Sequence, residues 1–259
     1  AVCSAKTWMG ESRHAEAREA LIRQVASQPQ DIDAAILLTA NEIADEEYVK
    51  AYELASGFLE NQYDVRLSEK RAQASLLAED VETAVVDYNE LISDLRDEPE
   101  GSSICDVLSG RCQTPVEREA HAWVGLATAE YNRGNLDRAE SIATTVLDGE
   151  RLKGALDPAY GQFIGALVNS HRGDDDGALA KYQGILDRFP NEPASLNNVG
   201  GVYYRRGDLR TARRYHTASY EAAGSDGRSA AIAWSNVGEI DMLEGDMKAA
   251  EEKLLESIE

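Results

Sequence analysis

"RRGDLRTA", residues 205–212, breaks a helix with Gly207 and Asp208 and restarts it at once. Glycine tolerates the left-handed backbone on which a helix ends, and the aspartate after it suits the turn and the cap of the next helix. The stretch recurs as "NRGNLDRA" ending at Ala139, "HRGDDDGA" ending at Ala178 and "LEGDMKAA" ending at Ala250. Each is the turn of a helix hairpin, and its recurrence makes it architecture.

The small residue after each turn sets the register. Ala17, Ala51, Ala84, Ala139, Ala178, Ala212 and Ala250 are separated by 34, 33, 55, 39, 34 and 38 residues, a period near 34 in which the 55 is one period plus 21 extra residues. With only 6 prolines and no alternating runs of Val, Ile or Thr, the chain offers no signal for sheet. The fold class expected is all-α.

From Glu119 onward the pattern resembles the tetratricopeptide repeat (TPR). The first such unit carries Trp123, Leu126, Ala127, Tyr131, Gly134 and Ala139, and the next Gly165, Ala166, Gly173, Ala178, Tyr182 and Pro190. Val199, Gly200, Tyr203, Gly207 and Ala212 follow, then Trp234, Val237, Gly238, Gly245 and Ala250. Gly200, Gly238, Ala127 and Ala166 stand where paired helices approach most closely, so a large side chain there would overpack the hairpin. Residues 32–62 and 65–96 keep the apolar pattern but have "DEEY" and "AEDV" where the turn glycine is expected, and residues 12–28 match only a second helix. The resemblance thus implies a right-handed superhelical solenoid of about six hairpins plus a leading helix. The expected domain is single, 1–259, with an inserted cysteine-containing loop at about 97–113. "TPVE", residues 114–117, closes that loop as a capping box with proline in the first helical turn. The chain stops at "LLESIE" with no polar capping helix, which implies that further chain or a partner covers that end.

A formal charge of −21 argues against a nucleic-acid surface, which draws on clustered Lys and Arg. No apolar run reaches the length a membrane helix requires, and these residues include no secretory apolar region, so any signal peptide is expected to lie outside this sequence or to have been removed. Cys105 and Cys112 lie in "SSICDVLSGRCQT", where a disulfide would close a small loop. The other reading is two reduced thiols close together by chance. Zinc is not expected, since that stretch supplies two ligands and His121 is a distant third. Cys3, followed by Ser4 and preceded by the rather bulky Val2, is either a lipid attachment site or an ordinary cysteine near a chain end.

Nothing in the sequence assembles an active site. His14, His121, His171 and His216 lack Cys, Ser or Asp at triad or metal spacing, and "HRGDDDG" has Ile185 where a calcium loop needs its closing Glu. No enzyme activity, metal or cofactor is expected. The resemblance instead places function on a concave groove lined by the first helix of each hairpin, where a protein or peptide segment would lie. Tyr131, Tyr160, Phe163, Asn197, Asn198, Tyr204, Arg205 and Asn236 fall on that inner row. Asn198 and Asn236 occupy the same register, where TPR proteins often place an amide against a bound peptide's backbone. A carboxylate clamp would need several inner cations, and only Arg205 and Arg206 stand there. The chain is similar in these features to bacterial envelope TPR lipoproteins of the pilotin and pilus-assembly type. That likeness implies a periplasmic, outer-membrane-associated subunit of a larger assembly. An intracellular TPR adaptor of co-chaperone type is the alternative.

Overall fold

A computed structural model describes residues 2–99, 102–147, 149–224 and 227–257. Its helices run in consecutive pairs within two compact units, residues 1–157 and 158–259. In the first unit α1 (Val2–Gly10) pairs with α2 (His14–Ser27), α3 (Ile32–Ala44) with α4 (Tyr48–Leu59), and α5 (Val65–Leu77) with α6 (Val81–Asp97). A two-residue β-ladder, β1 (Ile104–Cys105) against β2 (Cys112–Gln113), precedes α7 (Pro115–Asn132) and α8 (Leu136–Ser141). The α8 helix continues as a π-helical turn over Ile142–Val146. The second unit pairs α9 (Ala159–His171) with α10 (Asp175–Leu186), α11 (Pro193–Arg205) with α12 (Leu209–Ala223), and α13 (Gly227–Glu244) with α14 (Met247–Glu256).

One turn geometry serves every pair. Gly134, Gly173, Gly207 and Gly245 have φ of 85°, 78°, 78° and 86°, the left-handed conformation that a glycine adopts without a steric penalty. The residue that follows sends its N–H back five residues, Asp208 to Tyr203 and Asp246 to Asp241. Where that residue is an aspartate its side chain then caps the next helix, with Asp174 accepting from the Gly177 amide, Asp208 from that of Thr211 and Asp246 from that of Ala249, whereas Asn135 makes no such bond. The two hairpins without the glycine make the same turn: Glu46 and Glu79 stand at φ 60° and 61°, and Ser12 at φ 57° does so between α1 and α2. The helix that the sequence leaves unpaired, 12–28, therefore has a partner. That partner, α1, is the degenerate first helix around Trp8, one of two readings the sequence leaves open beside a first helix missing upstream, and it buries only Ala5 and Met9.

A left-handed residue with a Cβ costs about 1–2 kcal/mol relative to its right-handed state. Glu46→Gly and Glu79→Gly should each raise stability by about 1 kcal/mol, offset in part by the added freedom of the unfolded chain. Urea denaturation should show the midpoint move up for both.

The inserted segment is more than a loop. Val107, 7% exposed, joins the apolar cluster of Ala5, Met9, Leu21, Leu37 and Leu67. Arg118, buried in α7, donates to the Ile104 carbonyl at 3.0 Å and pairs with Glu69 of α5. Thr114 and Glu117 form the expected capping box, with Pro115 in the first turn of α7. In α7, Glu119 is fully buried and accepts from Arg96, Arg151 and the Trp123 indole. Burial opposes its charge, but those donors more than offset it and hold its carboxyl below the usual range.

In the second unit the small residues of the first helices meet the second helices at a fixed offset. A Cβ on Gly165 would lie 3.1 Å from Lys181, one on Gly200 2.7 Å from the His216 ring, and one on Gly238 3.1 Å from Leu254. Each partner is 16 residues further along the chain. Small residues at these positions are what allow the helices to close on one another.

Candidate functional site

Asn197, Asn198, Gly201, Tyr204 and Arg205 recur on α11 at the spacing that puts side chains on one helical face. Asn236 and Glu239 come from the neighbouring α13, and His216 from α12 lies beneath them. Together these eight residues line a polar cleft of about 110 Å³. Five of them, Asn197, Asn198, Tyr204, Arg205 and Asn236, are groove residues expected from the sequence.

The cleft is organised by one acceptor. The Asn197 side-chain oxygen lies 2.8 Å from His216 Nδ1 and 2.9 Å from Asn236 Nδ2, so it accepts from both. An amide oxygen cannot donate, so the proton of the neutral His216 ring is on Nδ1. Burial pushes the ring's pKa down to about 4, against a smaller opposing attraction from Glu239, and the network therefore contains a neutral imidazole near pH 7. Three helices are thereby tied through one half-buried polar triad, of which only the His216 ring is fully covered. Asn236 Nδ2 donates to Asn197 and also lies 3.5 Å from His216 Nδ1, and its half-buried amide lines the cleft. Asn198, in the equivalent register, donates to the Ala194 carbonyl of its own helix at 2.8 Å.

Tyr204 donates its hydroxyl to Glu239 at 2.7 Å, a contact between neighbouring first helices. The hydrogen bond to the carboxylate, with some burial, raises the phenol's pKa. Arg205 is not an available cation: its guanidinium holds Asp175 Oδ1 and Ser170 Oγ, each at 2.7 Å. Arg206 holds Asp176 at 2.7 Å and also reaches Asp175. Both cations that a carboxylate clamp could have used are committed to the N-terminal turn of α10.

The remaining expected groove residues lie elsewhere. Tyr160, 44% exposed, begins α9. Phe163 lies on the same helix. It is half-buried against the cluster of Ala166, Tyr182, Leu186 and Leu196, with its ring edge-on to Tyr182 at 5.9 Å. Tyr131 belongs to the first unit, half-buried near the end of α7. His216 looks isolated in the sequence because its partners stand 19 and 20 residues away on other helices. The signal that could have found it is its place 16 residues after a first-helix glycine. Among the described residues no group of three His, Cys, Asp or Glu could hold a metal ion. Cys105 and Cys112 face each other across β1 and β2 and are joined by a disulfide, and Cys3 is exposed on α1.

Paired helices, a left-handed turn residue at a fixed place and small residues at the closest approach identify the repeat. The fold is that of the tetratricopeptide repeat. A TPR protein from Parabacteroides merdae has a similar structure over 100% of this chain and 97% of its own, with TM-score 0.65 and 14% identity. A chain of the APC/C hetero-tetramer Cut9–Hcn1 matches over 99% of this chain and 45% of its own, with TM-score 0.61 and 16% identity. PilF of Pseudomonas aeruginosa matches over 85% and 87%, with TM-score 0.52 and 13% identity. In sequence, the photosystem I assembly protein Ycf3 of Prochlorococcus marinus is 29% identical over 91 residues. That alignment covers 35% of this chain, which spans about half the length of that relative. No family model matches the chain.

Proposed function

We propose that this TPR chain is a non-enzymatic interaction scaffold that holds a segment of a partner protein along α11 and α13 of its second unit. One observation carries the reading: five inner-row residues chosen from the repeat register converge on a single cleft, with Asn236 pre-positioned by Asn197 and His216. Preorganised amides lose little side-chain entropy when they bond a bound backbone.

The setting we propose is the bacterial envelope. Here the chain, anchored to the outer membrane through a lipid on Cys3, helps assemble or stabilise a machine such as a pilus or secretion complex. The Cys105–Cys112 disulfide supports an oxidising compartment, the exposure of Cys3 leaves it open to modification, and PilF shares the fold. A second reading, an intracellular assembly factor, is favoured by the stretch of sequence similar to Ycf3.

The readings diverge at the cysteines. In protein alkylated in its cells before unfolding, Cys105 and Cys112 should stay unlabelled until a reductant is added. Labelling of both thiols without reductant would support the intracellular factor and remove the envelope setting. In the full-length protein Cys3→Ala should move the chain from the membrane to the soluble fraction, whereas unchanged membrane association would eliminate the anchor.

A further inference from the structure

We infer that the segment held in this cleft is cationic and that Glu239 selects a lysine or arginine side chain in it; this deepens, and rests on, the segment-binding role proposed above. The charges around the cleft are accounted for one by one. Arg205 and Arg206 are spent on Asp175, Asp176 and Ser170. Asp241, next in α13 but one after Glu239, is held by Arg213 and by Lys253 at 2.7 Å. His216 is neutral, and Asn197, Asn198, Gly201 and Asn236 carry no charge. Glu239 is left. It is exposed, it accepts from the Tyr204 hydroxyl, and no lysine or arginine among the described residues pairs with it.

The tyrosine bond orders Oε1 of Glu239 beside the amides and leaves Oε2 to receive a donor. Because Glu239 is exposed, its pull on an ammonium or guanidinium group is modest and weakened by salt, and the selectivity comes from the fixed position that the Tyr204 bond gives it beside the amides. An acidic segment would meet Glu239, a chain of formal charge −21 and no uncommitted cation in the cleft. The recognition is thus opposite in sign to that of a clamp for a terminal carboxylate: the amides of Asn198 and Asn236 address the backbone, and Glu239 reads one basic side chain.

The test uses the full chain and a bead-bound library of random octapeptides. The best-bound peptide is then resynthesised with its basic residue changed to Gln or Glu, and affinities are read by fluorescence anisotropy. Expected is a Lys or Arg at one position of the selected peptides, with the change to Glu weakening binding by about fivefold or more. Glu239→Gln should erase that difference and Glu239→Lys should invert it. Since Glu239→Gln alters a net charge of −21 by one, a preference due to diffuse attraction would survive it, and survival overturns the inference. So would selected peptides that are acidic or show no charge preference. Asn198→Ala and Asn236→Ala separate the two levels. If they abolish binding while the charge preference is absent, segment binding stands and the cationic selectivity falls. If they leave binding untouched, both fall.

Discussion

Gly200→Leu is expected to lower the stability of the second unit by about 3 kcal/mol. The position has no room for a side chain: an added Cβ would lie 2.7–2.8 Å from three atoms of the His216 ring. That ring cannot simply swing away, because Asn197 holds it at 2.8 Å within a helix–helix contact. Gly200→Ala should cost less, about 1 kcal/mol, because the better helix propensity of alanine offsets part of the clash. Combining Gly200→Ala with His216→Ala removes the obstructing ring, so the pair should fall short of additivity by about 1 kcal/mol. The damage should be local, since repeats couple mainly to their neighbours. Hydrogen exchange should quicken over 193–223 and spare residues 32–62. Uniform loss of protection would mean that the hairpins do not behave as separable units.

The second large effect is on stability against pH. The pKa of His216 is about 4 in the folded protein, where burial disfavours the imidazolium, against about 6.5 when unfolded. Between those values the unfolded chain binds more protons, so the contribution is fully present above about pH 6.5 and is lost as the pH falls through the window. By pH 4 the loss should approach about 3 kcal/mol. His216→Leu, which places at this position the residue type found at Leu254 in the last hairpin, should be less stable at neutral pH and show a shallower slope between pH 6.5 and 4. Urea midpoints for the two proteins at pH 7, 5.5 and 4.5 give the comparison. Parallel curves would place the ionisation elsewhere.

The sequence displays the hairpins because their geometry draws on few residue types. A left-handed turn next to a cap is written as Gly-Asp or Gly-Asn, and a tight helix crossing as Gly or Ala. Where the chain meets the same geometry with Glu46, Glu79 or Ser12, the code is silent and only the apolar spacing remains. The docking of the inserted segment was hidden for a similar reason: a lone Val107 in a polar stretch carries no period. In the cleft, register was enough to place the amides and Tyr204 on one face. It could not say that Arg205 is tied to Asp175, or that Phe163 leans onto Tyr182. Those outcomes depend on side chains brought together from different helices, and a linear period holds no information about them.

Site-specific photo-crosslinking most directly tests the claim that α11 and α13 hold a partner segment. Crosslinkers placed at 198, 236 and, as a control, at Lys248, 88% exposed on α14, would be activated in cells that carry the partner, and both ends of each product mapped by mass spectrometry. Positions 198 and 236 should capture the same short segment of one protein, with position 248 silent. Capture from 248 alone, or of unrelated segments from 198 and 236, would contradict it.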